Sequence, residues 1–268
     1  MNQEPFSIRN AIRPGIDTLA YDSVPEDARK WLITIIPPNW YFWGCNRLRL
    51  IQGQAPPQSD PSLTTVQTNL TLGLLGAQWY EIYDLCEYFY TAFPISAHEG
   101  MTKGYFEHAL NDILVNLKLG RRMQNGKIER VLHPSTSKAL SAASDLLITD
   151  SRFSGPMEQM KKSVAHLSDR PEPDTRNCAN EAVCAVEGTA RILSGKPKQL
   201  LSDLLKQSPL NQMPPTLREV LNKLYGYRGD ETAHGQVDTA TPSLEEAEFV
   251  LATSASAIVY LVKRFPVP

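Results

Sequence analysis

No run of this sequence is long and apolar enough to cross a bilayer. Its most hydrophobic stretches, Trp31 to Pro38 and Leu70 to Gly76, fall far short of the ~20 residues that a membrane-spanning helix needs. The first residues also lack the basic-then-apolar pattern of a secretory leader, so a cytoplasmic chain with no membrane partner is expected. Cysteine is scarce: Cys45, Cys86, Cys178 and Cys184 stand without a CxxC pair. That excludes a zinc ribbon, gives no disulfide framework and leaves reduced core thiols as the reading. Neither sign of charge dominates, since 27 Lys+Arg oppose 29 Asp+Glu for a net charge of −2. No broad positive field draws the chain onto a polyanion, so any contact with nucleic acid has to be local. The motifs GxxxxGK with Ser or Thr, GxGxxG and GxSxG are all missing. Without them there is no support for P-loop nucleotide hydrolysis, dinucleotide binding or serine-hydrolase chemistry. His98, His108, His133 and His166 show no repeated spacing of metal ligands, and neither a metal nor a cofactor is expected.

What is present is 268 residues with 42% hydrophobic and 21% charged content, enough for one large core or two modest ones. A helix is predicted after Ser23-Val24-Pro25-Glu26, with Ser23 as its cap, Pro25 in its first turn and Trp31, Leu32, Ile35 and Ile36 as its apolar stripe. Pro37-Pro38 ends it. Gln52 to Leu63, rich in Pro, Gln and Ser, reads as an exposed loop. Trp79, Ile82, Tyr83, Cys86, Phe89 and Tyr90 recur at intervals of three and four, as do Phe106, Leu110, Ile113, Leu114 and Leu117; both sets mark buried helical faces. Asn125-Gly126, set between two short runs, predicts a two-residue hairpin turn. From Ser137 onward helices are expected over roughly 137–148, 156–168, 174–194, 198–207, 214–225 and 243–264.

The fold class is therefore mainly α: a small helical N-terminal module with a short β-hairpin over 1–150, then an α-helical bundle over 151–268. The change in pattern falls at Asp150 to Pro156. Ala179, Ala182, Val183, Val186, Ala190 and Leu193 make a narrow stripe, with Asp174 in front and Gly195-Lys-Pro197 behind. Leu244, Ala247, Val250, Leu251, Ser254, Ala255, Ile258, Leu261 and Val262 make another. Small residues let helices approach closely, which suits a tight bundle or a seam between two copies.

Ionisable residues crowd together in Tyr225-Gly-Tyr-Arg-Gly-Asp-Glu-Thr-Ala-His-Gly235, where Arg228, Asp230, Glu231 and His234 fall between glycines 226, 229 and 235. Histidine exchanges a proton near neutral pH and a guanidinium grips a phosphate through two donors, so the pair suits phosphodiester chemistry. An ordinary solvated turn is the alternative on composition alone. Elsewhere, His108 with Asp112 makes an exposed helical pair, His133 precedes Pro134 in a turn, His166 closes a helix, and Glu245, Glu246 and Glu248 mark a solvated helix start.

Phe6-Ser-Ile-Arg-Asn-Ala-Ile-Arg13, Asp17 and the helix from Pro25 to Ile36 resemble the opening of AbiJ-type abortive-infection proteins of bacteria. Arg121 to Ile128 looks like the hairpin that closes their N-terminal module. Leu167 to Asn177, then Glu181 to Glu187, is similar to the first long helix of their C-terminal HEPN domain, and Leu224 to Gly235 to its signature loop. The resemblance covers most of the chain except about 37 to 75. In the HEPN superfamily an Arg, four to six residues and a His recur; Arg228 and His234 fit that pattern. Many members place a small polar residue directly after the Arg, where this chain has Gly229 with Asp230 one step later.

The resemblance implies a metal-independent endoribonuclease acting in antiphage defence. Arg228 and His234 would be catalytic, Gly229, Asp230 and Glu231 supporting, and Arg176 and Tyr227 RNA contacts. It also implies RNA as substrate, a homodimer through the C-terminal domain and a place for a defence-system partner protein. The alternative it leaves open is an inactive HEPN-fold module that binds RNA or a partner.

Overall fold

The computed structural model describes residues 19–55, 62–92, 102–227 and 241–265. Among them the architecture is mainly α-helical with one two-stranded antiparallel sheet. No helix there is long and apolar enough to cross a membrane. The chain divides into two compact units, 1–131 and 132–268.

The first unit contains α1 (Glu26–Ile35), a 3-10 turn at Pro38–Trp40, α2 (Tyr41–Ile51), α3 (Leu63–Gly76), α4 (Trp79–Ala92), α5 (Lys103–Asn116), β1 (Arg121–Gln124) and β2 (Lys127–Arg130). Pro25 itself occupies the cap position of α1 and Ser23 makes no cap hydrogen bond there, contrary to expectation. The buried face of α1 is Ala28, Leu32 and Ile33, continued by Ile36, while Trp31 is 58% exposed. At 100° per residue a core centred between Leu32 and Ile36 takes in Ile33 and turns Trp31 outward. The expected loop at 52–63 ends in a helix cap, for Ser62 accepts from Thr65 N–H and Leu63 is already helical. α3 lacks a glycine cap. Its last carbonyls are held by the Arg29 guanidinium, which donates to Leu74 O at 2.6 Å and Ala77 O at 2.6 Å, a cation placed where the helix dipole favours one.

The hairpin forms as read. Asn125 (φ 49°) and Gly126 (φ 81°) make the turn, and Gln124 faces Lys127 across it, as the primed turns that match strand twist require. A Cβ on Gly126 would lie 2.2 Å from the Tyr90 ring, so that position needs glycine for space as well as for φ. Asn111 on α5 clamps β1 by donating to Met123 O and accepting from Met123 N–H, both at 2.8 Å.

The second unit runs α6 (Pro134–Leu147), a 3-10 turn at Ser151–Phe153, α7 (Ser154–Ser168), α8 (Thr175–Ser194), the single turn α9 (Leu201–Leu204), α10 (Pro215–Tyr227) and α11 (Leu244–Arg264). It begins nearer 132 than 151: Leu132, Ala143 and Leu147 belong to its core and α6 packs along α11. The break near Asp150, which composition makes conspicuous, is a turn inside this unit, with the Asp150 carboxylate capping Arg152 N–H at 2.9 Å. α8 lies between α7 and α11. Its stripe from Ala179 to Leu193 and the α11 stripe from Ala247 to Leu261 are buried within this one bundle. That decides between the two uses of small residues: the stripes are the bundle's own seam, not a face kept for a second copy. The helix expected over 198–207 shrinks to Leu201–Leu204. Lys206 and Gln207 bond back three residues, to Asp203 O and Leu204 O, and Pro209 offers no N–H to continue a ladder.

All four cysteines are thiols, three buried and Cys184 half-buried. Burial pushes the Cys45 thiol up to about 11 and that of Cys178 to about 12, so both stay protonated and unreactive at neutral pH.

Candidate functional site

Arg228, Gly229, Asp230, Glu231 and His234 lie outside the described residues. The structure places the two helices from which that segment departs and to which it returns. α10 ends at Tyr227, and α11 begins behind a capping box in which Ser243 Oγ accepts from Glu246 N–H at 3.2 Å while Glu246 accepts from Ser243 N–H at 2.6 Å. The box fixes the entry of α11 by satisfying two amides that a helix start leaves open.

The N-terminus of α8 lies at the same end of the bundle. Thr175 Oγ1 donates to Pro242 O at 2.7 Å, a buried bond that ties the first residue of α8 to the approach to α11. Arg176, the next residue, is half-buried. Asp174 caps α8, accepting from Asn177 N–H at 3.0 Å and from Asn177 Nδ2 at 2.6 Å. Two helix N-termini, the sites where amides and dipoles favour anions, thus flank the return of the segment, each with a carboxylate in its cap.

Between α10 and α11 lies a pocket of about 590 Å³. Leu224 and Val250 form its buried floor, Val220, Tyr227 and Phe249 its apolar walls, and Thr216, Thr253, Glu219, Lys223 and Glu246 its polar edges. Phe249 is 69% exposed and Val220 47%. The α10 residues recur three and four apart, so one helical face lines the pocket, and only Leu221 and Leu224 of that helix are buried.

Sequence reasoning missed a convergence of ligand-type atoms beside this end of the bundle. His166, Asp169 and Asp174 each offer one within 4.8 Å of the others, because the chain between α7 and α8 folds back and Asp174 N–H donates to His166 O at 2.9 Å. The spacing, His then Asp three and eight residues on around Pro171 and Pro173, is the signal that could have shown it. These groups already have local work: His166 Nδ1 pairs with Asp169 at 3.2 Å, and Asp174 is the α8 cap. His133 is a cap as well. Its ring accepts from Ser135 N–H at 3.3 Å at the start of α6, and its own N–H donates to Glu248 at 2.7 Å, so Glu248 is a tie between helices and not a solvated acid. His108 and Asp112 make the exposed pair expected, at 3.4 Å.

A wider groove of about 850 Å³ runs between α7 and α8 past Arg152, Lys162 and Arg191. Two of its cations are engaged, Arg152 by Asp150 at 2.8 Å and Arg191 by Glu187 at 3.2 Å. In the first unit Arg121 is fully buried, its guanidinium 4.8 Å from the centre of the Trp79 ring, and its Nε donates to Tyr21 O at 3.2 Å. That arrangement braces the hairpin against α4. Comparison of the chain with protein families, with curated proteins and with solved structures finds no match.

Proposed function

We propose that this protein is an endoribonuclease of abortive infection that cuts RNA in the bacterial cytoplasm without a metal, through Arg228 and His234. The observation that supports this reading is the Arg-x5-His spacing in a glycine-bounded segment, joined to two helices, α10 and the capped α11, of an all-α bundle. The substrate's 2′-hydroxyl attacks the adjacent phosphate; His234 takes the hydroxyl proton and, as imidazolium, returns it to the departing 5′-oxygen, which leaves as a hydroxyl and gives a 2′,3′-cyclic phosphate. Arg228 neutralises charge that grows on the pentacoordinate phosphate. Asp230 or Glu231 orients one of the pair. A homodimer through the C-terminal unit sets two such pairs across one cleft and doubles the positive charge available to an otherwise neutral bundle. The surface that joins the copies is other than the α8 and α11 stripes, and a defence-system protein is the partner that holds or releases the activity.

Cleavage of total RNA by the purified chain tests this. Activity is expected to persist in EDTA, to leave cyclic or 3′-phosphate ends by mass spectrometry, and to spare deoxy substrates, which lack the internal nucleophile. His234→Ala abolishes it, and Arg228→Lys nearly so, since lysine loses the planar two-donor fork. Products with 5′-phosphate ends, or full inhibition by EDTA, would overturn the reading. Gly229, standing where many HEPN proteins carry a polar residue, favours a second reading, an inactive module that binds RNA or a partner; RNA binding without cleavage in the same assay would establish it.

A further inference from the structure

We infer that the pocket between α10 and α11 receives one unpaired base of an RNA strand, with Tyr227 and Phe249 as its aromatic walls and Glu219 as the acceptor for an amino group on the base. The inference deepens the ribonuclease reading and rests on RNA being the ligand. It starts from an unexplained exposure: Phe249 is 69% and Val220 47% exposed on facing helices, above the buried Leu224 and Val250. An apolar floor, aromatic walls and a few polar groups in about 590 Å³ match the general make-up of a small-ligand pocket. Proteins take splayed-out RNA bases in this way, by stacking on aromatic rings and bonding to base edges.

Position commits the pocket to RNA. Tyr227 lines it, and Arg228 is the next residue in the chain. A base held there brings its own phosphodiester to the start of the segment that carries Arg228 and His234. The polar edge also suits a nucleotide. Glu219 and Lys223 are one helical turn apart, yet they form no ion pair with each other and neither side chain has a partner among the described residues. Glu246, by contrast, is held by the Ser243 amide. Lys223 is thus available to a phosphate and Glu219 to an exocyclic amino group, the pairing by which carboxylates recognise bases such as cytosine. Uracil has no amino group and is the base this edge serves worst.

The test uses the full chain and fluorescein-labelled pentanucleotides of A, C and U whose 2′-hydroxyls are methylated, so that they bind without being cut. Anisotropy should show tighter binding of the A and C oligomers than of U. Phe249→Ala and Val220→Trp should each weaken the A oligomer about tenfold, the scale of losing one base–aromatic stack. Glu219→Gln should erase the preference over U. Because Phe249 and Val220 are exposed, both variants should keep the wild-type melting temperature. Wild-type affinity in both folded variants, or no binding of any oligomer by the wild type, would overturn the inference. The same oligomers with free 2′-hydroxyls separate it from the ribonuclease reading. Binding lost in the pocket variants with no cleavage by the wild type would sink the nuclease and keep the pocket; cleavage and affinity unaltered in those variants would do the reverse.

Discussion

In the first unit the large rings of Phe89, Phe106 and Tyr83 are buried between helices, and at some positions glycine makes room for a ring. Gly44 admits Phe89, whose Cζ would be 2.8 Å from a Cβ, and Gly120 admits Tyr21. In the second unit small side chains take that place: Ala179, Ala182, Ala185 and Ala190 on α8 and Ala247, Ser254 and Ala255 on α11 are all fully buried, and the two helices pack against each other. Large rings seal an irregular arrangement of short helices, whereas long helices that lie side by side along five turns or so need small residues to come close. The second arrangement holds α10 and α11, the helices that flank the candidate segment. The apolar face of α10 is only partly covered and opens the pocket beside Tyr227.

The contrast can be broken from either side. Phe106→Ala empties the ring from the first core and should cost about 3–5 kcal/mol; hydrogen exchange should show lost protection across α4, α5 and the hairpin while α8 and α11 keep theirs. Ala182→Trp attacks the second core by overfilling it and should cost about 3 kcal/mol, with the loss of protection now confined to residues after 132. If that variant instead left the fold intact and changed only the sedimentation coefficient, the stripe would be an intermolecular seam after all. Asp174→Ala removes the α8 cap without touching either core, and should lower stability by about 1 kcal/mol in denaturant titrations. The smallest effect belongs to Glu129 on β2. Burial pushes its carboxyl above the ordinary carboxylate range, so the folded state holds the proton more tightly than the unfolded chain. Stability from this group is present below its unfolded pKa of about 4.3 and is lost as pH rises through the folded value. Glu129→Gln should therefore raise Tm slightly at pH 7, and the gain should vanish in acid.

Much of this was legible in the residues themselves. The recurrence of apolar side chains at three and four located α1, α4 and α5 of the first unit and most helices of the second but passed over α2 and α3, Asn125-Gly126 located the hairpin, and Asp174 and Gly195 marked the ends of the long α8 helix, where Gly195 takes φ 65°. What failed did so for reasons outside the local sequence. Trp31 looks apolar enough to be buried and is not, because the neighbours of α1 sit on its other side. The 198–207 segment has helical spacing, but burying Leu201, Leu204, Leu205 and Leu210 together tightens it into turns. The stretch from Asp150 to Pro156 looks like the boundary between the two domains and is a capped turn inside the second unit. For the candidate site, Arg228 and His234 could be chosen from their chemistry and spacing, whereas the pocket beside them has no motif, since its lining comes from two helices separated by the whole intervening segment.

The sequence by itself determined that this protein is helical, that it carries one hairpin, and which face of most helices is apolar, because those properties depend on neighbours within one or two turns. Only the tertiary structure decided that α6 belongs with the second core, that the α8 and α11 stripes face each other, that Thr175 ties the start of α8 to Pro242, and that Phe249 is left facing a cavity. Each of these depends on which surfaces remain once all the others are matched. That is a property of the packed chain as a whole, and no window of residues contains it.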